Sequence, residues 1–350
     1  MSERVLSRRA LNRALLARQL LLERSELGLT RALERVAGLQ TQYAPSAYIG
    51  LWSRLADFSR PDLTRALEQR RAVQATLMRS TIHVVSARDF WLLSAAVRRA
   101  RREWWHPIAR SRGLDAAAMD DVAALVRAAL AGGPRRRADL VDVLTGAGHD
   151  KQLWEAVGLW LDLVRVPPSG TWERRRADRY GLAEDWVDPV SATEEEGLEH
   201  LITRYLRGFG PAALADVASW AGVHVGLLEP VVERLRLRRF RDEEGGELLD
   251  VPRAPLPDPD TPAPVRFLPT WDATLLVHAR RTGILPEEYR TLVFSNRNPH
   301  STPTFLVDGS VAGAWRYEDG EIQLRPFGRL AASDRRALER EARGLAAFHA

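Results

Sequence analysis

The chain has 350 residues, of which 45% are hydrophobic and 28% charged, and at roughly 150 residues per domain it is long enough for two to four domains. It contains no cysteine and its eight histidines are scattered, which excludes disulfides and thiolate chemistry and leads us to expect neither a metal nor another cofactor. The net charge of +5 favours a polyanionic partner, although the presence of a single lysine, Lys151, among 51 basic residues also indicates codon bias in a GC-rich genome.

No apolar run approaches the roughly 18 residues that a membrane helix needs, and the N-terminal segment lacks the apolar core and cleavage site of a secretory signal. The arginine- and serine-containing N-terminus continues directly into an amphipathic helix, which argues against a transit peptide. We therefore expect a cytoplasmic protein.

Helical spacing of apolar residues predicts four helices early in the chain. Two β-rich runs, 72–78 and 81–85, follow these helices and predict a short hairpin with Arg79 and Ser80 in its turn. Helices followed by a small hairpin are typical of a winged helix. The four predicted helices span residues 8–22, 30–37, 47–55 and 61–68.

Two glutamines, Gln40 and Gln42, lie between the second and third predicted helices. Gly38 can end a helix and Pro45 cannot continue one, so we expect extended backbone here, in which residues two positions apart project to the same side. The two neutral amides would then face one space and orient a water or a nucleobase edge without adding charge. By spacing alone, a solvent-facing loop at a helix end is the simpler interpretation.

An internal repeat follows, because residues 133–140 and 210–217 share a Gly-Pro pair and an Ala-Asp pair at the same spacing. We expect each Gly-Pro to start the next helix at its first turn. Each copy follows an apolar helix and precedes another helix and a wing-like hairpin, an order that indicates a repeated helix-turn-helix module. The preceding helices are 122–130 and 201–209, and the hairpins are 163–180 and 237–251.

Residues 252–264 form a proline-rich linker, and residues 265–327 are predicted to be mostly β. Strands are expected at 291–294 and 304–307 around a polar tip, with a hairpin turn at Asp308-Gly309 leading into a strand at 311–317. The final helix, 333–348, is expected to be capped by Ser333 and Asp334.

Several motifs, in this order, resemble the AlkZ-like winged-helix DNA glycosylases, and the resemblance covers nearly the whole chain. The family has a catalytic pattern of Gln, any residue, Gln, which implies that Gln40 and Gln42 are catalytic. A sister branch carries Asp at the second position, where this chain has Gln42. The motifs are 38–42 with 51–54, 79–83, 204–211 with Trp220, 268–272, and 308–309 with 313–316.

The resemblance implies an α+β fold in which three tandem winged-helix modules, each a helix-turn-helix plus a wing, lie on a β scaffold and form a concave DNA-binding channel. The predicted divisions are winged-helix module 1 with the glutamines (1–115), module 2 (116–195), module 3 (196–255), and a linker, β-rich domain and terminal helix (256–350).

The chemistry of two neutral amides fits a base that already carries a positive charge. Hydrolysis of an N-glycosidic bond passes through an oxocarbenium-like sugar, and an N7-alkylated purine is a good leaving group that needs little acid catalysis. Positioning a water and lining the cation with dipoles then suffices. We predict a monofunctional hydrolase, because a lyase needs an amine and Lys151, the one side-chain candidate, lies far in sequence from the glutamines. The family resemblance also implies that the enzyme unhooks interstrand crosslinks in DNA.

Further residues are predicted to contact DNA or to support the site. Three consecutive arginines at a helix start reach phosphates well, and the polar tip 296–302 suits a DNA groove. A solvated helix end, an ordinary loop and a structural histidine are the simpler interpretations of these features. The predicted DNA contacts are Arg79, His83, Arg135, Arg136, Arg137, Arg297, Asn298 and His300, and the supporting residues are Tyr43 and Asp272, the latter with a structural alternative.

The tryptophans at 104, 105, 154, 160 and 220 are expected in the core. The expected partner is double-stranded DNA with alkylated bases or crosslinks, bound by a monomer. Tandem winged helices alone also fit a transcription regulator without enzymatic activity, and less well an RNA-processing factor. A regulator would bind a specific sequence and would not need the glutamines.

Overall fold

The computed structural model of the protein describes residues 4–276, 283–294 and 301–350. Its first part contains the predicted helices and hairpin, with boundaries shifted by a few residues. The hairpin strands β3 and β4 flank a tight turn in which Arg79 has a positive φ of 52°. The elements are β1 (Val5–Leu6), α1 (Arg8–Arg18), α2 (Leu29–Arg35), β2 (Leu39–Gln40), α3 (Pro45–Arg54), α4 (Arg60–Glu68), β3 (Ala72–Thr76), β4 (Ile82–Ser86) and α5 (Ala87–Ser111).

The middle of the chain repeats helices followed by a hairpin, as the internal repeat predicts. Both helices that follow the Gly-Pro pairs begin three residues after the proline, so the expectation that proline occupies their first turn is wrong. The elements are α6 (Met119–Leu130), β5 (Arg135–Arg136), α7 (Arg137–Gly146), α8 (Trp154–Trp160), β6 (Leu163–Arg165), β7 (Arg179–Leu182), α9 (Glu194–Phe209), α10 (Leu214–Ala221), α11 (Val225–Arg234), β8 (Arg238–Asp242) and β9 (Glu247–Asp250).

The C-terminal part is a four-stranded antiparallel sheet followed by a long helix. The strand predicted at 291–294 is a short helix instead, because a four-residue apolar run fits either structure. The last helix begins at Ala332 with Ala331 as its N-cap, so Ser333 and Asp334 lie inside the first turn and do not cap it. The elements are β10 (Arg266–Leu268), α12 (Ala273–Leu276), α13 (Arg290–Val293), β11 (Thr304–Val307), β12 (Ser310–Glu318), β13 (Glu321–Pro326) and α14 (Ala332–His349).

One antiparallel sheet of six strands, in the order β2-β4-β3-β6-β7-β5, joins the first part of the chain to the middle part. Its register places Gln40 opposite His83 and Gln74 opposite Arg165. The first glutamine of the motif therefore lies on a strand of the sheet that continues into the second predicted module. The α+β class is confirmed, whereas the division into three winged-helix modules stays a prediction.

Helix α5 packs against α9, and Gly197 allows this close contact. A Cβ at Gly197 would lie 2.6 Å from the backbone nitrogen of Ala96 and 2.6 Å from the oxygen of Leu92, so no side chain fits there. A parallel pairing of β1 with β8, which the sequence pattern did not reveal, ties the N-terminus to the third predicted module. No helix in the described ranges is both long and apolar enough to cross a membrane.

Two fully buried ion pairs connect segments that are more than 200 residues apart in sequence. Arg18 on α1 donates to both carboxylate oxygens of Asp250 at 2.6 and 2.9 Å. Arg54 on α3 donates to both oxygens of Asp272 at 3.0 and 2.9 Å. Each pair is bidentate, the geometry in which arginine and carboxylate bind most strongly.

Candidate active site

Gln40 is nearly buried, with 7% of its surface exposed, and its amide is held by Arg79. The Arg79 Nη2 donates to the Gln40 Oε1 at 2.7 Å, and its Nη1 donates to the backbone oxygen of Trp220 at 2.5 Å. A guanidinium only donates, so the Gln40 atom that faces it must be the carbonyl oxygen. The amide orientation is therefore fixed, and the NH2 group points away from Arg79.

Gln42 is exposed, and its amide is also held by a donor. The backbone N–H of Ile82 donates to the Gln42 Oε1 at 3.1 Å, next to a backbone bond from Thr41 to the Ile82 oxygen at 2.8 Å. The Gln42 side chain thus accepts the hydrogen bond that a backbone carbonyl would accept if the pairing of β2 with β4 continued. Both glutamines contact the same short hairpin, and each carbonyl oxygen keeps a second lone pair.

The electrostatics around the pair are set by buried basic groups. Burial lowers the pKa of Arg79 to about 10, so the guanidinium stays charged at neutral pH. Burial and the nearby Arg79 lower the pKa of His83 to about 3, so its ring is neutral. The His83 Nδ1 lies 3.1 Å from the Thr81 oxygen, which only accepts, and therefore carries the proton.

His83 itself is 2% exposed within the sheet. Because its ring is enclosed, its burial favours the structural interpretation, and its direct contact with DNA stays a prediction. Arg79 is half-buried and bound to Gln40, so its contact in this structure is with the motif, and its contact with DNA stays a prediction.

An open pocket of about 420 Å³ lies beside Gln42. Four aromatic residues line it, together with basic residues on β6 and at the start of α7. Trp104 is 53% exposed there, so the expectation of a core position is wrong for this residue, whereas Trp105, Trp154 and Trp220 are buried as expected. The aromatic lining is Trp104, Trp105, Trp154 and Tyr180.

The predicted phosphate-binding arginines lie at the edge of the six-stranded sheet. Arg135, Arg136 and Arg137 are all exposed, and in the described part of the chain none of them forms an ion pair. Arg137 lines the pocket beside Gln42, and it also lines an adjoining open pocket of about 650 Å³ that contains Lys151. The positive edge of the sheet therefore continues to the glutamine site.

The other predicted site residues lie away from the pocket beside Gln42, the glutamine pocket. Tyr43 is 37% exposed, accepts a hydrogen bond from Arg175 at 2.9 Å, and lines a separate open pocket of about 770 Å³. Asp272 is 3% exposed and bound to Arg54 and to Thr274 at 2.8 Å, which supports a structural role. Arg297, Asn298 and His300 lie outside the described residues.

Sequence reasoning missed two buried arginines near the pocket, Arg101 and Arg165, which are 3% and 8% exposed. Arg165 lies in an apolar stretch and Arg101 in a run of four arginines at 98–102, and neither pattern gives a local signal that the arginine is buried. Among the described residues, no group of three or more His, Asp or Glu side chains is arranged to hold a metal ion.

The model of the AlkZ-like DNA glycosylase family matches residues 33–348, so the chain belongs to this family of DNA-repair enzymes, which hydrolyse N-glycosidic bonds in DNA. Its fold is similar to that of the DNA glycosylase AlkZ of Streptomyces sahachiroi, with a TM-score of 0.82 and 20% sequence identity over 99% of this chain and 97% of that chain. At this identity the likeness shows the fold alone. A search of curated protein sequences finds no match.

Proposed function

We propose that this protein is a monofunctional glycosylase for N7-alkylated purines and that Gln40 and Gln42 position the attacking water. The observation that carries the proposal is that two neutral amides are each fixed by a protein donor, Arg79 in one case and the Ile82 N–H in the other. Neither amide is hydrogen-bonded to a carboxylate in the described structure. The pair therefore offers preorganised dipoles without a strong general base.

The two amides are suited to different tasks. Gln42 carries its carbonyl oxygen on a neutral backbone donor, so the second lone pair can accept a hydrogen bond from the water and aim the water at the anomeric carbon. Gln40 has its oxygen on the positive charge of Arg79, which weakens that oxygen as an acceptor and strengthens its NH2 group as a donor. Gln40 then holds the water oxygen or a sugar–phosphate oxygen.

The reaction balances without an acid. Water adds to the anomeric carbon, the glycosidic bond breaks, and its electron pair neutralises the cationic N7-alkylpurine. One proton from the water passes to solvent, and an abasic sugar with a hydroxyl group remains. Because the charge of the base supplies the driving force, neutral bases are poor substrates for such a site.

A lyase step is not expected, because Lys151 lines the adjoining pocket and not the one beside Gln42. Borohydride trapping of a covalent adduct with DNA would contradict this part of the proposal. We also propose unhooking of interstrand crosslinks, because Gln42 is exposed and a base linked to the opposite strand can reach it from the surface. We propose that the protein acts as a monomer, with the three modules forming the DNA channel.

The test is the release of N7-methylguanine from duplex DNA, followed by alkali to cut the abasic sites. Gln40→Ala and Gln42→Ala should each lower the single-turnover rate on the order of 10²-fold, because each removes a preorganised dipole. Gln69→Ala is the matched control, since Gln69 is exposed at the end of α4 and lines neither pocket. Equal cutting by all three variants would remove the proposed roles. Absence of cutting by wild type, with tight binding to one DNA sequence, would favour a transcription regulator.

A further inference from the structure

The guanidinium of Arg165 lies in the wall of the pocket beside Gln42, and in the described structure it has no carboxylate within ion-pair distance. We propose that Arg165 binds a backbone phosphate within three nucleotides of the lesion and that the adjoining base stacks on Trp104. This inference rests on the proposed function, because it names how the same site holds its DNA.

The burial of Arg165 is the first observation. The residue is 8% exposed, its Nη2 donates to the Thr76 hydroxyl at 3.2 Å, and its Nε is buried without a hydrogen-bond partner. Its guanidinium lies over the ring of Tyr180 at 5.3 Å. Arg165 also has a side-chain hydrogen bond with Tyr180. These neutral partners leave several of the five N–H donors of the cation unused and supply no negative charge.

A buried charge without a counterion is unfavourable, and two other deeply buried arginines of this chain, Arg18 and Arg54, are each paired with an aspartate. Arg165 differs in that it lines an open pocket, so an anion from outside can reach it. A phosphate oxygen accepts charge-assisted hydrogen bonds from a guanidinium, often two at once. The missing counterion is therefore supplied by the ligand.

A second buried arginine raises the positive potential at the same point. Arg101 is 3% exposed and donates through its Nη1 to the backbone oxygen of Thr76, the residue whose hydroxyl contacts Arg165. Two guanidinium groups thus converge on Thr76 at the end of β3. In the low-dielectric wall of a pocket, such charges act more strongly than on the open surface.

The register of the sheet places this anion site close to the glutamines. Arg165 contacts Thr76 on β3, Thr76 lies opposite Ile82 on β4, and the N–H of Ile82 binds Gln42. Three neighbouring strands span on the order of 10 Å. Successive phosphates along one DNA strand are separated by about 3.4 Å along the helix axis, so the phosphate belongs to a nucleotide near the reacting one.

The positive charge of the pocket explains why it takes a neighbouring nucleotide rather than the cationic base itself. Trp104 provides a stacking surface for the uncharged base of that nucleotide. Its ring is 53% exposed at the pocket wall, where any base can stack on it. The Arg112–Glu155 pair, at 2.7 Å, is internally neutral, so Arg137 and Arg165 leave the pocket net positive. A positively charged base would be repelled there, whereas a phosphate and an uncharged flanking base are attracted.

The test uses duplex DNA with a tetrahydrofuran abasic analogue, which contains no bond to hydrolyse. Each of the three phosphates on either side of the analogue is replaced in turn by an uncharged methylphosphonate, and binding is measured by fluorescence anisotropy. Wild type should lose about tenfold in affinity at one position, the effect of one charge-assisted hydrogen bond. Arg165→Gln should bind more weakly overall and lose sensitivity at that position, while Arg165→Lys should keep part of it.

Gly158→Leu is the second variant, in case Arg165→Gln does not fold. A Cβ at Gly158 meets only Thr76, at 3.9 Å, and Gly158 lines the pocket, so a leucine there should extend into the pocket without removing the arginine. This variant should also lose the position-specific effect. Trp104→Ala should weaken binding to every duplex equally, because stacking does not depend on the phosphate.

Equal losses for wild type and Arg165→Gln at every position, or no single sensitive phosphate in wild type, would overturn the inference. Because the assay measures binding without chemistry, its outcome is independent of glycosylase activity. A position-specific effect together with no release of N7-methylguanine would refute the proposed function and leave the phosphate site standing.

Discussion

Two regions of this protein differ in how the charge of their arginines is compensated. Arg18 on α1 binds both carboxylate oxygens of Asp250 on β9, and Arg54 on α3 binds both oxygens of Asp272, which follows β10. Around the glutamine pocket, Arg79, Arg101 and Arg165 have no carboxylate partner within ion-pair distance in the described structure. The arginine charges of the first region are therefore balanced within the protein, whereas those of the second have no carboxylate partner in the described structure.

This difference indicates that the paired arginines stabilise the fold and that the unpaired arginines serve the function. A buried pair with satisfied hydrogen bonds holds distant segments in one arrangement, and removing one partner leaves a costly isolated charge. A buried cation without a partner destabilises the free protein and is retained where an external anion completes it. For Arg165 we propose that DNA supplies that anion, whereas Arg79 fixes the orientation of Gln40.

The largest expected effect concerns the compensated region. Asp272→Ala should destabilise the protein by about 3–5 kcal/mol, because it leaves Arg54 buried and unpaired. Denaturant unfolding measures this change. Glu287→Ala, which breaks the exposed pair with Arg290 at 2.6 Å, is the control and should change the free energy of unfolding by about 1 kcal/mol or less. Similar effects for both variants would argue against the distinction between the two regions.

In the uncompensated region, a substitution should lower the reaction rate and leave the stability nearly unchanged. Arg79→Gln removes a buried charge rather than exposing one, so the stability should change little. The glycosylase rate should fall roughly tenfold or more, because Gln40 loses the charged donor that orients its amide. The single-turnover rate should fall while the affinity for an abasic-analogue duplex changes less. A fall in affinity alone would show that Arg79 acts as a phosphate contact and not as a positioning residue.

The buried neutral His83 predicts a pH dependence of stability. Its folded pKa of about 3 lies below the ordinary value of 6.5, so the unfolded chain binds an extra proton between these values. Stability should therefore decrease as the pH falls below 6.5, with a loss of about 3 kcal/mol at pH 4.5 from this residue. Denaturant unfolding of wild type and His83→Gln at both pH values measures it. An unchanged dependence in the variant would show that other groups cause it.

The smallest effect is expected at the exposed arginines on the edge of the sheet. Arg136→Gln should weaken DNA binding uniformly across sequences and reduce the slope of log affinity against log salt by about 1. Glycosylase chemistry at saturating protein should not change, because Arg136 does not line the pocket beside Gln42. A slope equal to that of wild type would show that Arg136 is a solvated helix end.

The sequence predicts most of the elements, because helical spacing, β-rich runs and turn residues are local signals. It also identifies the Gln40–Gln42 pair, through a family motif rather than through its spacing. The sequence-based prediction fails where contacts between distant parts of the chain determine the secondary structure or the exposure of a residue. The run at 291–294 is helical, and Trp104 is exposed because its position on α5 faces a pocket that the sequence does not show.

Arg165 shows the limit most clearly. It follows two apolar strand residues, and only the pairing of β6 with β3 places it under the pocket and next to Thr76. Its lack of a counterion can be recognised only from the folded structure, since several acidic residues occur close to it in the chain. The burial of His83 within the sheet likewise gives no local signal in the sequence.

The most direct test of the central claim compares a cationic with a neutral base in the same duplex. The single-turnover release of N7-methylguanine is measured beside that of uracil, both with wild-type protein. The neutral, carboxylate-free glutamine pair predicts release of the cationic base at a rate on the order of 10²-fold or more above that of the neutral base. Comparable release of both bases would contradict the account, because the site would then supply the acid catalysis that two amides cannot provide.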